Sequence, residues 1–182
     1  MIDLHTHSLF SDGVLIPAEL VRRAEHIGYR SIGITDHVDQ SNLDLVAPKI
    51  AEFAESLSKF VKIKIIPGVE LTHVPPATIG ELAHRARSLG AKLIVVHGET
   101  IVEPVAAGTD HHALEADIDI LAHPGLIAPE DVELAARRGI YLEISARKGH
   151  SLTNGHVAKL AIERSARLVL NTDTHEPSNL IT

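Results

Sequence analysis

The 182-residue sequence has no cysteine, which excludes a disulfide framework, a thiolate zinc site and a cysteine nucleophile. Tryptophan is absent too, and only two tyrosines and three phenylalanines occur. With so few rings, aromatic platforms for stacking nucleic-acid bases are not expected. Basic residues are outnumbered, 17 lysines and arginines against 24 acids, for a formal charge of -7. That balance argues against a broad surface for polyanions, so nucleic acid is expected only as a nucleotide or short oligonucleotide. No apolar run approaches the roughly 18 residues of a membrane span. Met1 leads straight into a strand-like run without a basic leader, so no membrane partner and a cytoplasmic location are expected.

What is present is 45% hydrophobic residues, mostly aliphatic, and 13 histidines. This length and apolar content fit one domain over residues 1–182 with a sizeable core. Apolar periodicity predicts strands over 2–5, 31–35, 63–69, 93–96, 118–122, 141–144 and 168–170. Between them it predicts helices over 17–27, 43–60, 78–89, 102–114, 129–138 and 157–164. Pro17 opens the first helix and Gly28 closes it, while Thr78 and Glu81 have the spacing of a capping box. Seven strand–helix steps, the last helix missing, imply an α/β fold with a parallel sheet, closed as a barrel or open and doubly wound.

Reactive groups of α/β barrels lie at the carboxyl ends of the strands. Here those ends carry His5 and His7, Asp36 and His37, Glu70, His97, His123, Glu143, and finally Asp173 and His175. His5 and His7 are two apart in an extended segment, which points both side chains to one side. Singly, each residue has an ordinary reading: Asp12 before Gly13 as a turn residue, Asp36 as a helix cap, Glu70 as a surface acid. Jointly, so many imidazoles and carboxylates at successive strand ends predict a polynuclear site for zinc, iron or manganese. The other histidines, His26, His73, His84, His111, His112, His150 and His156, are read as surface residues, except His73 and His150 near strand ends.

Six segments then stand out together: Asp3-Leu4-His5-Thr6-His7-Ser8 with Ser11-Asp12-Gly13, Ile34-Thr35-Asp36-His37, Pro67-Gly68-Val69-Glu70, Ala122-His123-Pro124-Gly125, Leu142-Glu143-Ile144 and Thr172-Asp173-Thr174-His175. In this order they resemble the polymerase and histidinol phosphatase (PHP) family. The resemblance implies a distorted, TIM-like (β/α)7 barrel that hydrolyses phosphate esters at three divalent ions of zinc, manganese or iron. One ion would take His5, His7, Glu70 and Asp173, a second Glu70, His97 and His123, and a third Asp12, His37 and His175. Members usually continue past the last motif into a helix that closes the barrel, and this sequence stops at Thr182.

Glu70, Asp173 and His175 are the residues expected to act in catalysis, on a small phosphorylated substrate. Two ions sharing Glu70 would activate a water and clamp the phosphate. Arg147, three residues past Ile144, is expected to grip phosphoryl oxygens, since a guanidinium binds two at once. Two other readings remain: a PHP domain without catalysis that binds or regulates, and a metal-dependent amidohydrolase, whose barrels also begin with His-x-His. The first predicts gaps in the ligand set, and none is seen among the nine positions. Asp12, Glu70 and His123-Pro124-Gly125 favour the phosphoesterase over the second.

Overall fold

A computed structural model describes residues 1–181. Strands and helices alternate as β1 (Ile2–Asp3), α1 (Pro17–His26), β2 (Ser31–Ile34), β3 (His37–Val38), α2 (Leu43–Leu57), β4 (Lys64–Leu71) and α3 (Ile79–Ser88). The series continues with β5 (Leu93–His97), α4 (Thr109–Glu115), β6 (Ile120–Ala122), α5 (Pro129–Arg138), β7 (Tyr141–Ser145), α6 (Asn154–Arg164) and β8 (Arg167–Asn171). The strands pair in parallel in the order β1-β2-β4-β5-β6-β7-β8, and β3 adds to β4. Strands β2 and β3 are two halves of one position, broken at Thr35-Asp36, where Thr35 N donates to Thr6 O at 2.8 Å. Seven strand positions result.

The sheet curls into a nearly closed barrel, as the family resemblance implies, which decides between the two topologies left open by the periodicity. At the seam Thr6 and Thr174 form a parallel bridge, and His7 N donates to Thr174 O at 2.8 Å. The Asn171 side chain substitutes for the ladder next to it, its Oδ1 accepting from Leu4 N at 2.9 Å.

Alternation along the strands makes two apolar layers. On β5, Leu93 and Val95 pack inside the barrel with Ile120 and Ala122, whereas Ile94 and Val96 pack outward with the helices. All five β5 residues are buried, as a strand covered on both faces requires. The helices present apolar stripes to that outer layer, for example Leu20, Val21 and Ala24 of α1, each large side chain contributing about 1.5–3 kcal/mol on burial. Pro17 and Pro129 open α1 and α5, where a missing N–H costs nothing.

Three local expectations fail. The helix expected over 102–114 contracts to α4, because Pro104 has no N–H to give and Gly108, at φ 88°, starts the helix. Residues 99–108 instead form a loop, anchored where Glu99 Oε1 accepts from Gly108 N and Asp110 N at 2.8 and 3.1 Å. No capping box forms at Thr78, whose hydroxyl donates to Pro75 O at 2.8 Å within a 3-10 turn. Helix α2 stops at Leu57, three residues short of the expected Phe60. After β8 the described residues hold only the 3-10 turn Pro177–Asn179, and Leu170 on the outer face of β8 is 54% exposed. No described helix is long and apolar enough to cross a membrane.

Candidate metal centre

The mouth of the barrel, at the carboxyl ends of the strands, bends the backbone sharply. His73, His123 and Asp173 adopt φ of 53°, 28° and 52°. Such angles cost side-chain-bearing residues about 1–3 kcal/mol each and persist where surrounding structure enforces them. Gly13 shows how one ligand is delivered. A Cβ there would lie 2.4 Å from His7 O, so the Ser11-Asp12-Gly13 turn closes tightly on the His7 backbone. Asp12 is thus a turn residue and a member of the mouth at once.

Asp36 does the complementary job. Its Oδ1 accepts from Ser8 N and Ser11 Oγ, and its Oδ2 from Ser8 Oγ, each at 2.7 Å. It organises the segment joining His7 to Asp12, and caps no helix.

Fully buried Glu70 lies at the middle. Its oxygens are 3.3 Å from His5 Nε2, 3.6 Å from His7 Nε2, 2.7 Å from His37 Nδ1 and 3.7 Å from His123 Nε2. Asp173 Oδ1 is 3.2 Å from His7 Nε2, 3.8 Å from His5 Nε2 and 3.3 Å from His175 Nδ1. Asp12 Oδ1 is 3.0 Å from His175 Nε2 and 3.5 Å from His37 Nε2. Donor atoms within 4.8 Å of one another form overlapping groups, among them His7–Asp12–His37–His175, His5–His7–Glu70, His5–His123–Asp173 and His97–His123–His150. All nine expected ligand positions therefore meet in one place.

Sequence reasoning missed two kinds of participant. Glu143, seen only as a strand-end acid, accepts from His5 Nδ1 at 2.7 Å, which fixes that ring and turns Nε2 toward Glu70. Its place at a strand end and in the Leu142-Glu143-Ile144 motif was legible, but its partner across the barrel was not. His150, noted only for lying near a strand end, is buried at the mouth, and Glu103 of the 99–108 loop reaches the same region.

The charges suit cation binding. Burial opposes ionising Glu70, yet His5 and His37 beside it hold its carboxyl well below the usual range. Asp173 is also lowered, burial being outweighed by His5 and His7. Burial, reinforced by His37, pushes His7 down to about 3, and burial with His97 holds His123 well below its ordinary value. Ionised carboxylates and neutral imidazoles are the protonation states that ligate metals. Three ligand histidines go the other way: burial is outweighed by Glu143, Glu70 and Asp173 at His5, by Glu70 and Asp12 at His37, and by Glu103 and Glu70 at His97, and each pKa is raised.

The decisive observation is the set of buried polar atoms that make no hydrogen bond. His5 Nε2, both His7 nitrogens, Glu70 Oε1 and His123 Nδ1 have no hydrogen-bond partner among the described residues. Natural proteins leave few such atoms, each costing about 1–3 kcal/mol. Divalent cations would satisfy the inward-facing ones, so the residues present fit a metal centre. A cavity of about 260 Å³ opens above them, lined by residues including Asp12, His37, His97, Arg147, Asp173 and His175. Arg147 reaches this mouth as expected, its Nη1 3.2 Å from Asp173 Oδ1 and 2.9 Å from His175 Nε2. A second groove of about 500 Å³ shares Arg147 and His175.

A family model described as PHP domain matches residues 3–121. The chain is 50% identical to an uncharacterised protein of Methanocaldococcus jannaschii, over 98% of this chain and 83% of that protein. It is 29% identical to a probable phosphatase of Shewanella sp. (strain ANA-3), over 96% of this chain and 76% of the relative. Among solved structures, histidinol phosphate phosphatase of Lactococcus lactis, complexed with zinc, L-histidinol and phosphate, superposes with a TM-score of 0.68 at 20% identity. That alignment covers 97% of this chain and 86% of the other, and it shows the fold to be shared.

Proposed function

Because the chain belongs to the PHP domain family, we propose that it hydrolyses phosphate esters of small molecules at a centre of three divalent metal ions. The observation that carries this reading is the cluster of buried, unpaired donor atoms on His5, His7, Glu70 and His123. His5, His7, Glu70 and Asp173 would hold one ion, Glu70, His97 and His123 a second, and Asp12, His37 and His175 a third. When bound, such ions supply a water of lowered pKa and neutralise phosphoryl oxygens. Glu70 would hold two of these ions. Asp173 and His175 line the cavity and set the face on which the phosphoryl group lies. The phosphatase among the relatives and the histidinol and phosphate bound by the Lactococcus lactis enzyme support a small phosphorylated substrate.

The test is direct. Protein loaded with zinc or manganese is expected to release phosphate from members of a phosphomonoester panel and to stop when a chelator is added. Turnover of amides in place of esters, or no turnover with metal bound, would sink the proposal.

Arg147 is assigned to the substrate phosphate. Its guanidinium lies against the His175 ring and Asp173 and borders both the cavity and the adjoining groove. There it presents a fork of donors to two phosphoryl oxygens. Arg147→Ala is expected to raise KM for a phosphomonoester at least tenfold with metal content unchanged, a loss of roughly 1.4 kcal/mol or more. Wild-type KM and kcat in that variant would make Arg147 a surface residue.

A further inference from the structure

We propose that Glu103 and His150 are additional ligands of the metal centre, on the ion held by His97 and His123, so that this ion fastens the 99–108 loop across the barrel mouth. The inference rests on the metal centre of the preceding section and adds two residues to it.

Glu103 sits where three strand-end segments converge. Its carboxylate is 3.1 Å from His97 Nε2, 3.5 Å from His150 Nε2 and 3.4 Å from His73 Nε2. Ligand atoms bound at about 2.0–2.2 Å to one ion stand roughly 3–3.6 Å from each other. These separations are therefore those of a ligand cage. The donor atoms of His97, His123 and His150 also lie within 4.8 Å of one another, on three buried rings. The His123 and His150 rings stack at 4.1 Å between centroids.

The orientation of His150 points the same way. Its Nδ1 is paired with Thr100 Oγ1 at 2.8 Å, a residue of the very loop that carries Glu103. The pairing leaves Nε2 facing the mouth, 3.5 Å from Glu103 Oε1 and 3.9 Å from Asp173 Oδ2. Metal-ligating histidines are oriented in this way, one ring nitrogen tied to an oxygen so that the other faces the ion. Exposed His73 touches the other Glu103 oxygen, 3.4 Å away, and steadies the carboxylate from outside. Glu103 itself is part-exposed on a loop, so replacing it removes a ligand without opening the core.

The experiment is a zinc titration against a competing chelator, run on wild type, Glu103→Gln and His150→Gln, with ions per chain counted by elemental analysis. Each variant is expected to hold one ion at least tenfold more weakly than wild type and the others unchanged. Thr100→Val, which loosens His150 without removing a ligand, is expected to show the same weakening to a smaller degree. Wild-type affinity in both glutamine variants, with wild type binding zinc and cleaving phosphate esters, would overturn this inference and leave the metal centre standing. Weakening in His150→Gln alone would overturn the fastening of the loop. A wild type that takes up no zinc would instead bring down the metal centre itself.

Discussion

Glu70→Gln is expected to cut phosphoesterase turnover about a thousandfold, ~4 kcal/mol of barrier, and to lower the number of bound ions, while the barrel stays folded. The reason lies in position more than in charge alone. Glu70 touches His5, His7, His37 and His123, donors assigned to all three ions, and it is fully buried. The amide keeps the shape but offers one neutral oxygen where two ionised ones stood, so it cannot hold two ions together. The barrel survives because the side chain faces the mouth, and the outer face of β4 still packs through Ile65, Val69 and Leu71. Elemental analysis and steady-state kinetics with circular dichroism check this. Full activity in the variant would show that the shared ligand lies elsewhere.

The second large effect concerns the protein without its ions. Stripping metal with a chelator is expected to lower the melting temperature by about 10 °C or more, and adding zinc back to restore it. An ion present at a thousandfold excess over its Kd adds about 4 kcal/mol to the folded state. For a chain of this size each kcal/mol moves Tm by about 2–4 °C. The reason is in the packing: polar atoms on His5, His7, Glu70 and His123 are buried without hydrogen bonds, and positive φ angles at His123 and Asp173 add strain at the same mouth. Differential scanning calorimetry of apo and reconstituted protein decides it. Equal melting temperatures would mean that the cluster is satisfied without metal.

Much of this was legible in the sequence because the ligands follow strands directly. His5, Glu70, His97 and His123 lie at or next to the ends of short apolar runs, and one rule about parallel strands placed all of them at one mouth. The choice of a closed barrel came from the motif resemblance and not from the periodicity. It depends on Thr6 meeting Thr174 and on Asn171 standing in for a ladder, pairings that no local pattern encodes. Loop residues were the other blind spot. Glu103 lay inside a stretch read as helix, and only the break at Pro104 and Gly108 brings it over His97. His150 follows β7 by five residues and enters the site through a 3-10 turn, where strand alternation no longer predicts direction. Asp36 was visible, but its work on Ser8 and Ser11 depends on a turn that folds back on the chain.

The seam between Thr6 and Thr174 also governs when the site can exist. His5 and His7 leave the ribosome well before Asp173 and His175, and 167 residues separate Leu4 from the Asn171 side chain that joins it. Contacts so distant in sequence form late, after shorter-range strand pairs have paid their loop entropy. A nascent chain still on the ribosome therefore displays His5, His7 and Glu70 without the carboxylate that completes them. Metal captured then would find an unfinished cage, and full loading must wait until β8 has been released and has closed the ring.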